Sequence, residues 1–161
     1  MVKVLFVCLG NICRSPMAEA MFRDLVKREG LEHKITVDSA GTGDWHLGKP
    51  PHQGTQDILS QHQISFEGQV ARQISAADLN EFDYIVAMDS QNEKNIHKLK
   101  SLQSSAKIVK LLDYVPEAEK VDVPDPYFTG NFQEVFGLLK IGCDRLLQEI
   151  QTNENASWEG K

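Results

Sequence analysis

The chain has 161 residues, 41% hydrophobic and 25% charged, with a formal net charge of −6. That length suits one domain whose core needs no disulfide staples. The acidic balance argues against nucleic acid as the main partner, which needs a basic face, while leaving room for a small positive pocket.

In chain order, Val2–Val7 is a short apolar run rich in β-branched residues that ends at Cys8, the pattern of a central parallel strand. It is too short to span a membrane, and no signal-peptide cleavage site follows it. After a tight loop, Pro16 opens a helix with Met17, Met21, Phe22, Leu25 and Val26 at helical spacing, and Gly30 closes it. Ile35–Val37 is a second strand, 41–53 a Gly/Pro-rich loop, and Thr55–Gln63 a helix. Ser75 to Asp78 caps a short helix. Tyr84–Met88 is a third strand, and a capping box, Ser90 to Glu93, opens a helix to about Leu99. Lys107–Leu112 is a fourth strand. Asn131 caps a long helix bearing Phe132, Val135, Phe136, Leu139, Cys143, Leu146, Leu147 and Ile150 near one stripe. Residues 1–151 form the domain, and 152–161 read as a polar, flexible tail. Alternating strands and helices predict an α/β fold, a parallel sheet covered on both faces, with ligands beyond the carboxyl ends of its strands.

The loop Cys8-Leu-Gly-Asn-Ile-Cys-Arg14-Ser15 leaves such a strand end. A free thiol ionises at about pH 8.5, so a thiolate nucleophile at neutral pH needs donors around it. A helix N-terminus supplies at most ~2 kcal/mol, and charge-assisted hydrogen bonds roughly 1.5–3 kcal/mol each. Inward-turned loop amides, with Arg14 and the Ser15 hydroxyl, can make up the difference. Gly10 and Asn11 tolerate the positive φ that such a bend requires. The planar fork of Arg14 can grip two phosphate oxygens, which Lys cannot do. Taken singly, Cys8 is a small core residue, Arg14 a solvated helix end and Gly-Asn a turn. Their combination at this spacing points instead to a phosphate site.

The segment Val4-Leu-Phe-Val-Cys-Leu-Gly-Asn-Ile-Cys-Arg-Ser-Pro-Met-Ala-Glu-Ala20 resembles the signature of the low-molecular-weight protein tyrosine phosphatases. The resemblance continues through Asp38-Ser-Ala-Gly41, Asp44-Trp45, Ala71-Arg-Gln73, Asp83-Tyr-Ile85, Met88-Asp89 and Asp125-Pro-Tyr127. It implies a four-stranded, twisted parallel sheet flanked by helices. It also implies a cofactor-free hydrolysis of phosphotyrosine in proteins through a phosphocysteine, releasing inorganic phosphate. Cys8 would be the nucleophile and Arg14 the clamp on the transition state. Leu9, Gly10, Asn11, Ile12, Cys13 and Ser15 would form the phosphate-binding loop, braced by Asn11, Ser15 and Ser39. Gln69 stands where some members carry a histidine that completes this bracing. Asp125, on its own a turn residue between two prolines, would be the acid that protonates the leaving oxygen and then the base toward water. Trp45, Tyr127 and Phe128 would wall a slot deep enough to favour phosphotyrosine over phosphoserine. Asp89, by itself a helix cap, would lie beside the site, and Cys13 would form a reversible disulfide with Cys8 under peroxide.

Cys143 reads as core. The histidines at 33, 46, 52, 62 and 97 show no paired metal-ligand spacing. An odd, sparse set of three cysteines fits a reducing compartment, so the expected site of action is the cytoplasm, with no membrane partner. Three alternatives share the loop. Thiol-dependent arsenate reduction usually recruits further cysteines after the third strand, and residues 83–99 contain none. Phosphoarginine hydrolysis occurs in relatives carrying Thr where this chain has the bulkier Ile12. A phosphate-binding or redox-sensing module without turnover would have no need of Cys8, Arg14 and Asp125 together.

Overall fold

A computed structural model describes residues 1–159, with side chains through Glu154. Four strands, β1 (Val2–Cys8), β2 (Ile35–Gly41), β3 (Tyr84–Ala87) and β4 (Lys107–Lys110), form one parallel sheet in the order β2-β1-β3-β4. The helices are α1 (Arg14–Arg28), α2 (Gln53–Gln61), α3 (Asp78–Glu81), α4 (Ser90–His97), α5 (Pro126–Thr129) and α6 (Phe132–Glu159). Two 3-10 turns, Leu111–Tyr114 and Pro116–Ala118, follow β4.

Side chains alternate across β1. Val4, Phe6 and Cys8 join the core beneath α1, α2 and α6, where Phe6 meets Phe22 edge-on at 5.5 Å. Leu5 and Val7 pack on the other face with Leu79 of α3 and Ile96 of α4. The expected sheet with two covered faces is therefore present. Because the chain runs from β1 out to β2 and then back across to β3, the crevice beyond the carboxyl ends of β1 and β3 is where a ligand site belongs. Cys8 ends β1, and Met88 and Asp89 follow β3 directly. Among the described residues, no helix is long and apolar enough to cross a membrane.

Several boundaries differ from the sequence reading. Helix α1 begins at Arg14, two residues before Pro16, which places Arg14 and Ser15 in its first turn, where a missing proline N–H costs no helical bond. It ends as expected: Gly30 adopts φ +71° and, with Leu31, donates back to Lys27 and Val26. Strand β2 runs on to Gly41, because pairing with β1 carries Asp38 and Ser39 along regardless of their polarity. Strand β4 stops at Lys110, and Leu111 and Leu112 enter a 3-10 turn. The cap of α4 is Asp89, whose carboxylate accepts from Asn92 at 2.7 Å, rather than Ser90, which instead bonds Asp122. At α3 it is Asp78 that accepts from the Ser75 amide, at 2.8 Å. Asn131 does cap α6, accepting from Glu134. Helix α6 then continues through 152–159, which read as a loose tail; Thr152 bonds back to the Gln148 carbonyl, and Asn153 donates to the Tyr84 hydroxyl. A polar sequence cannot pack a core but still supports a helix anchored at its start. Residues 160 and 161 of that segment lie outside the described residues.

Candidate active site

Between β1 and α1 the chain makes a tight reversal, with Asn11 at φ +56°. Its carbonyls are held from outside. Cys8 O accepts from Thr42 N, Leu9 O from Gly43 N, Ile12 O from His52 N at 2.7 Å, and Cys13 O from Thr55 Oγ1 at 3.1 Å. In a trans peptide the next residue's N–H points opposite its carbonyl, so these bonds turn the amides of Leu9, Gly10, Cys13 and Arg14 to the other side. Among the described residues, no amide from Leu9 to Cys13 donates to a protein acceptor. Such a concave set of free amides is an anion site. The close fit depends on Gly41, where a Cβ would lie 2.9 Å from Leu9 O and 3.1 Å from Asn11 N.

The bracing runs through buried side chains. Asn11 Nδ2 donates to Ser15 Oγ (2.7 Å) and Ser39 Oγ (3.0 Å), and Asn11 Oδ1 accepts from Arg72 N (2.9 Å). Ser39 Oγ donates to Glu19 Oε1 at 2.5 Å, and Glu19 is held by Arg23. Since Asn11 occupies Ser15 Oγ as a donor, the serine hydrogen is left to point away. Cys8 Sγ lies 3.0 Å from that oxygen, and Ala40 O lies 3.4 Å away. Either atom of the Cys8–Ser15 contact could donate, and the hydroxyl can also donate to Ala40 O. Gln69 does not join this network: its Nε2 donates to Pro16 O at 3.1 Å. Glu19 sits one turn along α1 from Ser15, inside the segment that carries the family resemblance, but was given no role from sequence.

Arg14 is 2% exposed. Its Nη1 donates to Asp89 Oδ2 (2.7 Å) and Val123 O (3.0 Å), and Nη2 donates to Asp125 Oδ2 (3.2 Å). Burial alone would depress its pKa, but the charges of Cys8, Asp89 and Asp125 outweigh it and hold the guanidinium above its ordinary value. Its Nε is buried with no partner among the described residues, a donor placed for an anion. Asp89 therefore serves two ends: one oxygen caps α4 and the other anchors Arg14. Asp125 divides in the same way, with Oδ1 capping α5 through Tyr127 N at 3.0 Å.

Asp125 borders a cleft of about 370 Å³. Cys8, Leu9, Gly10, Ile12 and Cys13 contribute from the loop, and Asp125, Tyr127 and Phe128 from the segment around α5. Trp45 and His46 contribute from the stretch after β2. The three aromatics predicted as walls are thus brought together, and they are exposed, Phe128 to 76%. His46 was read only as a non-ligand. It lies so close over Gly10 that a Cβ there would be 2.9 Å from its ring. Cys8 and Cys13 are both unbonded thiols. Burial, reinforced by the charges of Cys8 and Asp125, pushes the Cys13 thiol up to about 12. Among the described residues, no group of three or more His, Cys, Asp or Glu gathers as metal ligands would.

Residues 3–156 match the family described as low molecular weight phosphotyrosine protein phosphatase. The chain is 58% identical over 151 residues to the low molecular weight protein-tyrosine-phosphatase YfkJ of Bacillus subtilis, covering 94% of this chain and 97% of that one. The crystal structure of YfkJ superposes with a TM-score of 0.92 at 56% identity, covering 96% of this chain and 97% of that one. Identity to the low molecular weight protein-tyrosine-phosphatase PtpA of Staphylococcus aureus is 49% over 157 residues, covering 96% and 97% of the two chains. The structure of a Drosophila arginine phosphatase also aligns, with a TM-score of 0.87 and 37% identity over 93% of this chain and 98% of that one.

Proposed function

The chain belongs to the low molecular weight phosphotyrosine protein phosphatase family and is a cysteine-dependent protein-tyrosine-phosphatase, and we propose that it works in two steps through a phosphocysteine on Cys8. In the first step the Cys8 thiolate forms a bond to phosphorus. The bond to the tyrosine oxygen breaks, and that oxygen leaves with its electron pair and takes a proton from Asp125. In the second step water attacks the phosphorus, Asp125 accepts the water's proton, and the sulfur departs as thiolate with inorganic phosphate released. The loop amides and Arg14 hold the equatorial oxygens, where charge accumulates, and such preorganised donors commonly supply the largest share of the rate enhancement.

The observation that carries this reading is the meeting of Cys8 and Asp125, from opposite ends of the chain, on one cleft with Arg14 bonded to Asp125. Tyrosine-phosphorylated proteins are the substrates that fit. The aromatic rim and the apolar Ile12 favour a flat ring over the guanidinium of phosphoarginine. Comparing turnover of phosphotyrosine and phosphoarginine peptides tests that preference. The mechanism is tested by Cys8→Ser, which should abolish hydrolysis of an aryl phosphate; activity surviving this change removes it.

Regulation by peroxide belongs to the same reading. Peroxide oxidises Cys8 to a sulfenic acid with loss of hydroxide. Cys13 then attacks that sulfur, forming a disulfide and releasing water, which spares Cys8 from deeper oxidation. A reducing cytoplasm, consistent with three unbonded cysteines, would restore both thiols.

A further inference from the structure

His52 lies outside the catalytic set, on a stretch read from sequence as plain loop, yet it touches both halves of the cleft. Its backbone amide donates to Ile12 O at 2.7 Å. Its Nδ1 accepts from Gly54 N at 3.0 Å and so caps α2. That cap fixes the first turn of α2, from which Thr55 Oγ1 reaches Cys13 O. Two of the outward bonds that orient the loop amides therefore start at this turn. The other side of the residue is the ring itself. It stacks on Phe132 of α6 (centroids 5.2 Å apart, 22° between planes) and meets Tyr127 edge-on at 6.0 Å and 75°. Phe132 in turn packs against Ile12 and Cys13 and leaves no room for a side chain on Gly54, where a Cβ would lie 2.4 Å from the Phe132 ring.

We propose that His52 is a positioning residue that holds the phosphate loop by its cap and the Tyr127 wall by its ring, through two contacts that can be separated. The proposal rests on the phosphatase reading given above. An imidazole suits both tasks, having a ring-nitrogen acceptor for an amide and a flat face for an aromatic neighbour. Asn retains the acceptor and loses the ring, while Phe retains the ring and loses the acceptor.

The test measures KM for p-nitrophenyl phosphate and the inhibition constant of inorganic phosphate in the parent protein and both variants. Inorganic phosphate engages the loop alone, whereas the aryl ester engages the loop and the wall. His52→Asn, an effective N-cap, should raise KM roughly threefold to tenfold, the span of a lost aromatic pair, with less than about a twofold change in phosphate inhibition. His52→Phe should raise both constants together, by about fivefold for a lost cap. If His52→Asn moves both constants in parallel, or neither, the division of roles is wrong, and that arm decides even if His52→Phe fails to fold. A His52→Phe variant that changes neither constant likewise overturns the proposal. A parent protein unable to hydrolyse the aryl ester would instead remove the phosphatase reading itself, so the two failures are distinct.

Discussion

Asn11 combines a backbone task with a side-chain task. Its φ of +56° is a conformation that costs most L-residues about 1 kcal/mol or more, and its amide satisfies Ser15, Ser39 and the Arg72 N–H at once. Asn11→Ala is expected to cost roughly 2–4 kcal/mol in urea denaturation, the sum of strain and lost buried hydrogen bonds. Asn11→Gly keeps the conformation and should recover about 1 kcal/mol of that loss while leaving kcat equally low. Equal destabilisation by the two would mean that the left-handed backbone matters little. Cys13 is the second residue with a testable consequence. On the disulfide route proposed above Cys13 must attack as thiolate, and burial, with the charges of Cys8 and Asp125, pushes its thiol up to about 12, so that thiolate is scarce at neutral pH and its fraction grows about tenfold per pH unit below that value. Recovery of peroxide-treated enzyme on adding thiol should therefore improve as the oxidation step is run at pH 9 rather than pH 6. Cys13→Ser should show no recovery at either pH.

At the scale of elements, the two carboxylates that hold Arg14 are fixed by the helices they start. Asp89 caps α4 with one oxygen and grips Arg14 with the other; Asp125 does the same for α5. The two roles of Asp89 can be separated. Asp89→Asn keeps the cap through its one oxygen but turns an amide NH2 toward the Arg14 donor, so kcat should drop and stability should fall by the lost ion pair. Asp89→Ala loses both, with about 1 kcal/mol more destabilisation. Thermal melts and aryl phosphate kinetics on the pair check this; identical melts would show that the cap contributes nothing. Residues that work as caps are legible as caps from sequence. Their second contact is not, because it joins segments distant in the chain.

At the scale of the whole molecule, burial of thiols and one phenol sets an alkaline limit. Cys13 and Cys143 are raised by burial above the ordinary thiol value, and Tyr114 by burial and Glu149 above the ordinary phenol value. A group whose folded pKa exceeds its unfolded one holds its proton more tightly when folded. Its stabilisation is complete below the unfolded value and is lost as pH rises toward the folded one. The urea midpoint should therefore stay flat from pH 7 to about 9 and fall between about 9 and 12. Cys143→Val, which keeps an apolar side chain in the α6 core, should flatten that fall; an unchanged slope would assign the loss to other groups.

The strand–loop–helix unit, the placing of Cys8 and Arg14 on its loop and the alternation of strands and helices were all legible in the chain. They are local patterns, in which spacing and residue type decide the backbone and the chemistry together. The full length of β2, the contact of Glu19 with Ser39, and the parts played by Gly41, His46 and His52 were decided only when the sheet closed. Each depends on a contact between segments far apart in sequence, where a polar residue is drawn into a strand by its neighbour or a glycine is required by another segment's backbone. The loop proposed to bind phosphate is written in the sequence. The set of outside bonds that turns its amides inward exists only in the folded molecule, because those bonds come from segments that follow β2 in the chain.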